Sequence, residues 1–234
     1  MHIPNQFKVL AFDVFGTVVD WHTSITEEVR ALQADIDPDA FALAWRSRYV
    51  PAMQRVISGE LGWTKIDDLH RMILDDILVT FNLDHMSESE RRRLNSAWHR
   101  LKPWPDSLEG LRRLKSKHIV CTLSNGNIGL LTNMAKHAGL PWDCILSAET
   151  FRKYKPDPAT YLGVADVFGV QPAEVALVAA HQEDLDGARS CGLGTAYIER
   201  PFEYGAKHVK DVSPSPRNML HARDLVDLAV QLGC

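Results

Sequence analysis

The stretch Val9-Leu10-Ala11-Phe12-Asp13-Val14-Phe15-Gly16-Thr17 decides how this chain folds. Its first four residues are an unbroken apolar run. Such a run, bounded by polar residues, reads as a strand buried on both faces. The run stops at a carboxylate, Asp13, and Gly16-Thr17 then turns the chain. Three later runs have the same character: Ile119–Leu123, Val175–Ala180 and Thr195–Ile198. Helical patterns fall at about 107–117, 126–138, 158–168 and 184–191. Strands alternating with helices imply an α/β fold, a parallel sheet wrapped by helices. In such sheets the ligand lies beyond the carboxyl ends of the strands.

Residues 22–100 differ. They carry helical periodicity and no convincing buried strand. Ser24 is a good helix start, and Asp37-Pro38-Asp39 another, with proline in the first turn. Ser58-Gly59-Glu60-Leu61-Gly62 breaks the pattern, Thr64 or Asp67 caps the next helix, and Ser87-x-x-Glu90 has the form of a capping box. Lys102-Pro103-Trp104-Pro105 ends the last helix and returns the chain to the sheet. An all-helical unit thus interrupts the α/β domain after its first strand. The expected division is a core of 1–20 with 101–234 and a helical unit of 21–100.

Thirty Asp and Glu against 26 Lys and Arg give a formal net charge of −4. A nucleic-acid binder tracking phosphates needs a basic surface, so that class is set aside; Arg91-Arg92-Arg93 reads as a solvated helix face. The four cysteines have no CxxC spacing, which argues against a zinc site of that kind and suits a reducing compartment. Met1–Lys8 has no apolar segment of the leader type, and no run approaches a membrane span. The expectation is a soluble cytoplasmic protein without a membrane partner.

Four places at strand ends hold groups capable of chemistry. Asp13 ends the first strand, where a carboxylate is poorly solvated. Ser124-Asn125-Gly126 ends the second. Lys155-Pro156-Asp157-Pro158 sets a cation before a proline-started helix, and His181-Gln182-Glu183-Asp184 follows a further strand. Each also has a plain reading: a turn cap for Asp13, an Asx turn for Ser124-Asn125, a surface charge for Lys155. Their joint placement favours a site.

In this order Asp13-x-x-Gly16-Thr17, Ser124-Asn125, Lys155-Pro156-Asp157 and Asp184 resemble the haloacid dehalogenase superfamily, over nearly the whole chain. The resemblance implies a Rossmann-like core with a parallel sheet, Asp13 as nucleophile, and an inserted helical cap. Most members are Mg²⁺-dependent phosphatases with a second aspartate two residues after the nucleophile and another after the fourth strand. Here those positions are Phe15 and Ala180, too thin a set of hard oxygen ligands. The departures resemble the 2-haloacid dehalogenase branch, which has an aromatic at the first position and uses no metal or other cofactor.

That branch also has an arginine after a tryptophan in its first long cap helix, and Trp45-Arg46 matches. The resemblance implies attack by Asp13 on C2 of an (S)-2-haloacid, with haloacetates and fluoroacetate as further substrates, an aspartyl ester, and its hydrolysis to the inverted 2-hydroxyacid. Arg46 and Asn125 would receive the halide product. Phe15 and Trp63 would wall its pocket, and Ser124 with the amides after Asp13, those of Val14 and Phe15, would hold the substrate carboxylate. Lys155 would keep Asp13 ionised and Asp184 would position or deprotonate water. Where the branch carries serine and asparagine after the fourth strand, this chain has Ala179 and His181; His181 would seat the water or donate to the nascent halide, the plain reading being a hydrogen-bonded histidine with no catalytic duty. Tyr161 is expected chiefly to cover the core, with a hydrogen bond near the site as the alternative. A homodimer is the expected assembly. The alternatives are a phosphatase- or phosphonatase-like hydrolase of small organic esters and a non-catalytic binding protein on the same fold.

Overall fold

The computed structural model describes residues 7–32 and 35–234. The reading of Met1–Gln6 as lacking a leader lies outside them. Six parallel strands form the sheet, in the order β5-β4-β1-β6-β7-β8. They are β1 (Val9–Phe12), β4 (Ile119–Ser124), β5 (Cys144–Ser147), β6 (Val175–Ala179), β7 (Gly194–Ile198) and β8 (Leu220–Ala222). β1 lies in the middle: Phe12 pairs with Thr122 of β4 on one side and Val178 of β6 on the other. This register brings Asp13, Ser124 and the residues after Ala179 to one edge. Successive side chains of β1 serve opposite faces, as pleating requires. Leu10 and Phe12 belong to the large apolar cluster that also holds Leu111, Leu225 and the insert's Trp45, whereas Val9 and Ala11 pack with Tyr161, Val164 and Leu185.

The helices are α1 (Trp21–Arg30), α2 (Pro38–Ser47), α3 (Tyr49–Ile57), α4 (Ile66–Thr80) and α5 (Glu88–Asn95) in the insert, which ends in a 3₁₀ turn over Ser96–Arg100. Beside the sheet run α6 (Ser107–Lys115), α7 (Ile128–Ala138), α8 (Ala148–Phe151), α9 (Pro158–Phe168), α10 (Gln182–Ser190) and α11 (Leu225–Gln231). Asp37 caps α2 by accepting from the amides of Asp39 and Ala40, and Ser87 with Glu90 closes the capping box of α5. Two expected starts need correction. Asp20, not Ser24, caps α1, and the Ser24 hydroxyl donates to the Asp20 carbonyl. Neither Thr64 nor Asp67 caps α4: Lys65 holds that position with no side-chain bond, while the Asp67 carboxylate accepts from Asn127 Nδ2 at 2.9 Å.

The segment Lys102-Pro103 is a short strand, β3, rather than a simple helix exit. It pairs antiparallel with β2 (Val19–Asp20). The two chain crossings between sheet and insert therefore run side by side. Trp104 donates from its backbone to the Val18 carbonyl and from its indole to the Gly16 carbonyl, both at 3.0 Å. Trp21, Trp45 and Trp98 are fully buried in the same apolar cluster as Phe12, so one continuous core joins insert to sheet. Burying aromatic area on this scale is what fixes the insert over the strand ends. Among the described residues no helix is long and apolar enough to cross a membrane.

Candidate active site

A cavity of about 470 Å³ opens at the carboxyl edge of the sheet. Asp13, Ser124, Lys155 and Asp184 line it from the sheet side, and Arg46, Tyr49 and Met53 from α2 and α3. The Lys155 ammonium lies between two carboxylates, 3.1 Å from Asp13 Oδ1 and 2.5 Å from Asp184 Oδ2. All three side chains are at most one-tenth exposed. Burial pushes the Asp13 carboxyl up, but Lys155, helped by His181 and Thr17, outweighs it and holds the group well below the usual carboxylate range. Burial and the neighbouring Asp13 charge leave Asp184 raised. Lys155 is itself held above the ordinary lysine value because its two anionic partners outweigh its burial.

Tyr161 belongs to this set as well as to the core. It is fully buried, and its hydroxyl donates to Asp184 Oδ1 at 2.8 Å. Core covering and a hydrogen bond at the site are thus both present. A lone tyrosine on a helix does not reveal its partner. Its hydroxyl meets Asp184 only because α9 and α10 pack side by side, and Gly187 leaves room for the ring.

The second carboxylate oxygen of Asp13 accepts from the Thr17 hydroxyl at 2.7 Å and faces His181 Nδ1 at 3.0 Å. The other ring nitrogen of His181 faces Glu203 Oε1 at 2.8 Å. Glu203 is fully buried, takes Lys210 Nζ at 2.9 Å on its other oxygen, and accepts from the Trp21 indole at 3.3 Å. Burial would raise Glu203, but His181 and Lys210 bring it down to about 2. Burial disfavours charged His181, yet Glu203 and Asp13 push it up to about 9. Both ring nitrogens thus face carboxylates, Asp13 on one side and Glu203 on the other. Glu203 and Lys210 escaped the sequence reading because they lie in the long loop after β7, with no strand end to mark them. The only trace was Gly16: its φ is +82°, and a Cβ there would come 2.3 Å from Glu203 Oε1.

Arg46 reaches the cavity from the last turn of α2, its guanidinium 4.7 Å from the Tyr49 ring centroid. No carboxylate pairs with it among the described residues. His70 lies next to it, buried and stacked on Trp98 at 4.3 Å; burial, with Arg46 nearby, drives its pKa down to about 3, so the ring is neutral. Asn125 accepts from the Lys155 amide at 2.8 Å and turns its own amide toward Met53 Sδ at 3.4 Å. Ser124 Oγ accepts from the Gly126 amide and also lines the cavity. Phe15 lines it too, edge-on to Trp98 at 6.0 Å.

One expected contact lies elsewhere. Trp63 is outside the cavity, against Tyr154 with centroids 5.0 Å apart and under the Arg152 guanidinium. The Val14 side chain is buried, and its carbonyl accepts from Val18 and Val19 to close the turn. The donor set does not suit a hexacoordinate Mg²⁺, which needs converging oxygens. Phe15 and Ala180 offer no side-chain oxygen, and an ammonium already stands between Asp13 and Asp184.

The site is a buried carboxylate at a strand end under a helical insert, held by one lysine to a second acid. The family model for haloacid dehalogenase-like hydrolases matches residues 7–192, and the chain belongs to that family. Within it the relatives point to the 2-haloacid dehalogenase branch. The chain is 33% identical to (S)-2-haloacid dehalogenase 4A of Burkholderia cepacia, across 86% of this chain and 87% of that protein. A crystal structure of a defluorinating L-2-haloacid dehalogenase superposes with a TM-score of 0.95 at 43% identity, covering 100% of this chain and 99% of that one. The L-2-haloacid dehalogenase from Xanthobacter autotrophicus with chloropropionic acid covalently bound superposes at 0.83 with 25% identity, covering 97% and 98%.

Proposed function

We propose that this protein hydrolyses the carbon–halogen bond of short (S)-2-haloacids, haloacetates included, by way of an ester on Asp13. The observation that carries the reading is the Asp13–Lys155–Asp184 arrangement beneath Arg46. Lys155 keeps Asp13 anionic, so the carboxylate is ready to attack without first losing a proton. Arg46, free of a carboxylate partner among the described residues, attracts the anionic substrate and then the departing halide, with Asn125 Nδ2 beside it. Asp13 displaces halide from C2 with inversion. Water then adds to the Asp13 carboxyl carbon, and Asp184 takes its proton. The acyl carbon–oxygen bond breaks, Asp184 returns the proton to the departing oxygen, the 2-hydroxyacid leaves, and Asp13, regenerated as the acid, releases water's second proton to solvent. No divalent ion enters these steps.

Residues 21–100 act as the cap in this reading, roofing the site through Arg46 and Tyr49. The same reading carries a homodimer paired through that cap, whose surface exposes Met72 and Val79; sedimentation in solution checks it. The test of activity is halide release from (S)-2-chloropropionate and from chloro-, bromo- and fluoroacetate with EDTA present. Single turnover in ¹⁸O-water should leave label in the Asp13 side chain. Mg²⁺-dependent turnover of p-nitrophenyl phosphate without halide release would overturn the proposal in favour of a phosphatase.

A further inference from the structure

The site described above holds one buried carboxylate that the two chemical steps leave without a task, Glu203. Both neighbours of His181 along the line Asp13–His181–Glu203 are carboxylates, which accept and do not donate when ionised. Glu203 is surrounded by donors: the Trp21 indole, Lys210 and His181. With both carboxylates ionised, each ring nitrogen carries a hydrogen. The charges agree with this: Asp13, Asp184 and Glu203 stand against Lys155, Lys210 and His181. Further charged or titratable groups lining the same cavity are exposed Glu183, half-buried Tyr204, Tyr161, and Arg46, Tyr49 and His70 from the insert.

The two oxygens of Asp13 are not equivalent. Oδ2 faces two donors, Thr17 and His181, whereas Oδ1 faces Lys155 alone. The oxygen with the free lone pair is Oδ1, so it bonds C2 and Oδ2 becomes the ester carbonyl. We propose that Glu203 is a positioning residue that holds His181 doubly protonated against Oδ2, so that His181 and Thr17 form the oxyanion hole for hydrolysis of the Asp13 ester. The inference rests on the ester mechanism proposed above. Once Asp13 is esterified it no longer carries a charge, and Glu203 is the one remaining anion in contact with the imidazolium. When water adds to the Asp13 carbonyl carbon, the electron pair of the C=O bond moves to Oδ2, facing His181 Nδ1–H and the Thr17 hydroxyl. On collapse that pair re-forms C=O, the bond to Oδ1 breaks, and the hydroxyacid departs. His181 donates hydrogen bonds throughout and loses no proton.

The test is Glu203→Gln, which keeps the shape and removes the charge. Enzyme is quenched during steady-state turnover of (S)-2-chloropropionate, and its intact mass gives the fraction carrying the ester. The variant is expected to carry about tenfold more ester relative to free enzyme than the parent, because hydrolysis slows more than alkylation. The basic limb of its pH–rate profile should move down by about one pH unit or more, since the imidazolium has lost an anionic partner. An unchanged ester fraction with an unchanged limb overturns the role of Glu203. A parent enzyme that never shows the ester mass sinks the ester mechanism instead, so the two failures are distinct. Should Glu203→Gln fail to fold by circular dichroism, Lys210→Gln takes its place. Removing that cation strengthens the field of Glu203 on His181 and should move the basic limb up; a limb that stays or falls overturns the proposal.

Discussion

Replacing Lys155 by methionine is the sharpest perturbation of this molecule. The ammonium is the shared partner of Asp13 at 3.1 Å and Asp184 at 2.5 Å, all within a nearly closed site. Methionine fills much of the same space and supplies no charge. Two buried carboxylates are then left facing each other, with Thr17, His181 and Tyr161 as their remaining donors. Breaking a buried charge pair by removing one member costs about 3–5 kcal/mol. For a chain of this size 1 kcal/mol moves the melting temperature by about 2–4 °C, so the expected fall is roughly 6–20 °C at neutral pH.

The pH dependence of that loss has a definite sign. In the parent, Asp13 is held below its unfolded value, so its contribution is present above about pH 4 and is lost as pH falls through the folded value. In Lys155→Met the shared proton raises the pair, and a carboxyl raised on folding weakens the fold as pH climbs above the unfolded value. The gap between variant and parent should therefore be narrow near pH 4 and widest at pH 7–8. Differential scanning calorimetry across that range reads the gap directly, and halide release should drop by about a thousandfold at pH 7. A gap independent of pH, or a variant that keeps most of its turnover, would refute the claim that Lys155 holds Asp13 ionised.

Gly16→Ala combines a left-handed backbone with a Cβ 2.3 Å from Glu203 Oε1, and should lower stability by about 1–3 kcal/mol and weaken turnover; urea unfolding measures the first. Arg46→Lys keeps the charge but loses the planar stack on Tyr49, so KM for chloroacetate should rise about tenfold or more in steady-state kinetics. Trp63→Ala should leave kcat/KM within about threefold of the parent, because the ring packs on Tyr154 outside the cavity; a hundredfold loss would show that it touches substrate. Trp45→Ala opens a hole in the joint core and should cost about 3–5 kcal/mol in denaturant unfolding.

Much of the architecture was readable along the chain because its cause is local. Val9–Phe12 and Val175–Ala180 are apolar without interruption, which only a strand covered on both faces tolerates, and a strand that ends in Asp13 announces a site at the sheet edge. Asp37-Pro38 and Ser87-x-x-Glu90 mark helix starts by chemistry acting within three residues. The outer strands Cys144–Ser147 and Leu220–Ala222 escaped the reading because short edge strands need no long apolar run. Which side chains meet across the site depends on contacts between distant segments. Glu203 stands 190 positions after Asp13, and only the packing of the loop after β7 over Gly16 brings it to His181. Trp63 and Tyr161 had the same kind of signature, an aromatic among helical residues. The turn of one helix and the path of one loop put Tyr161 on Asp184 and Trp63 on Tyr154. Residue type and spacing along the chain set the strands, the turn and the chemistry on offer; distances between remote groups, which set charge and protonation, arise when the core closes.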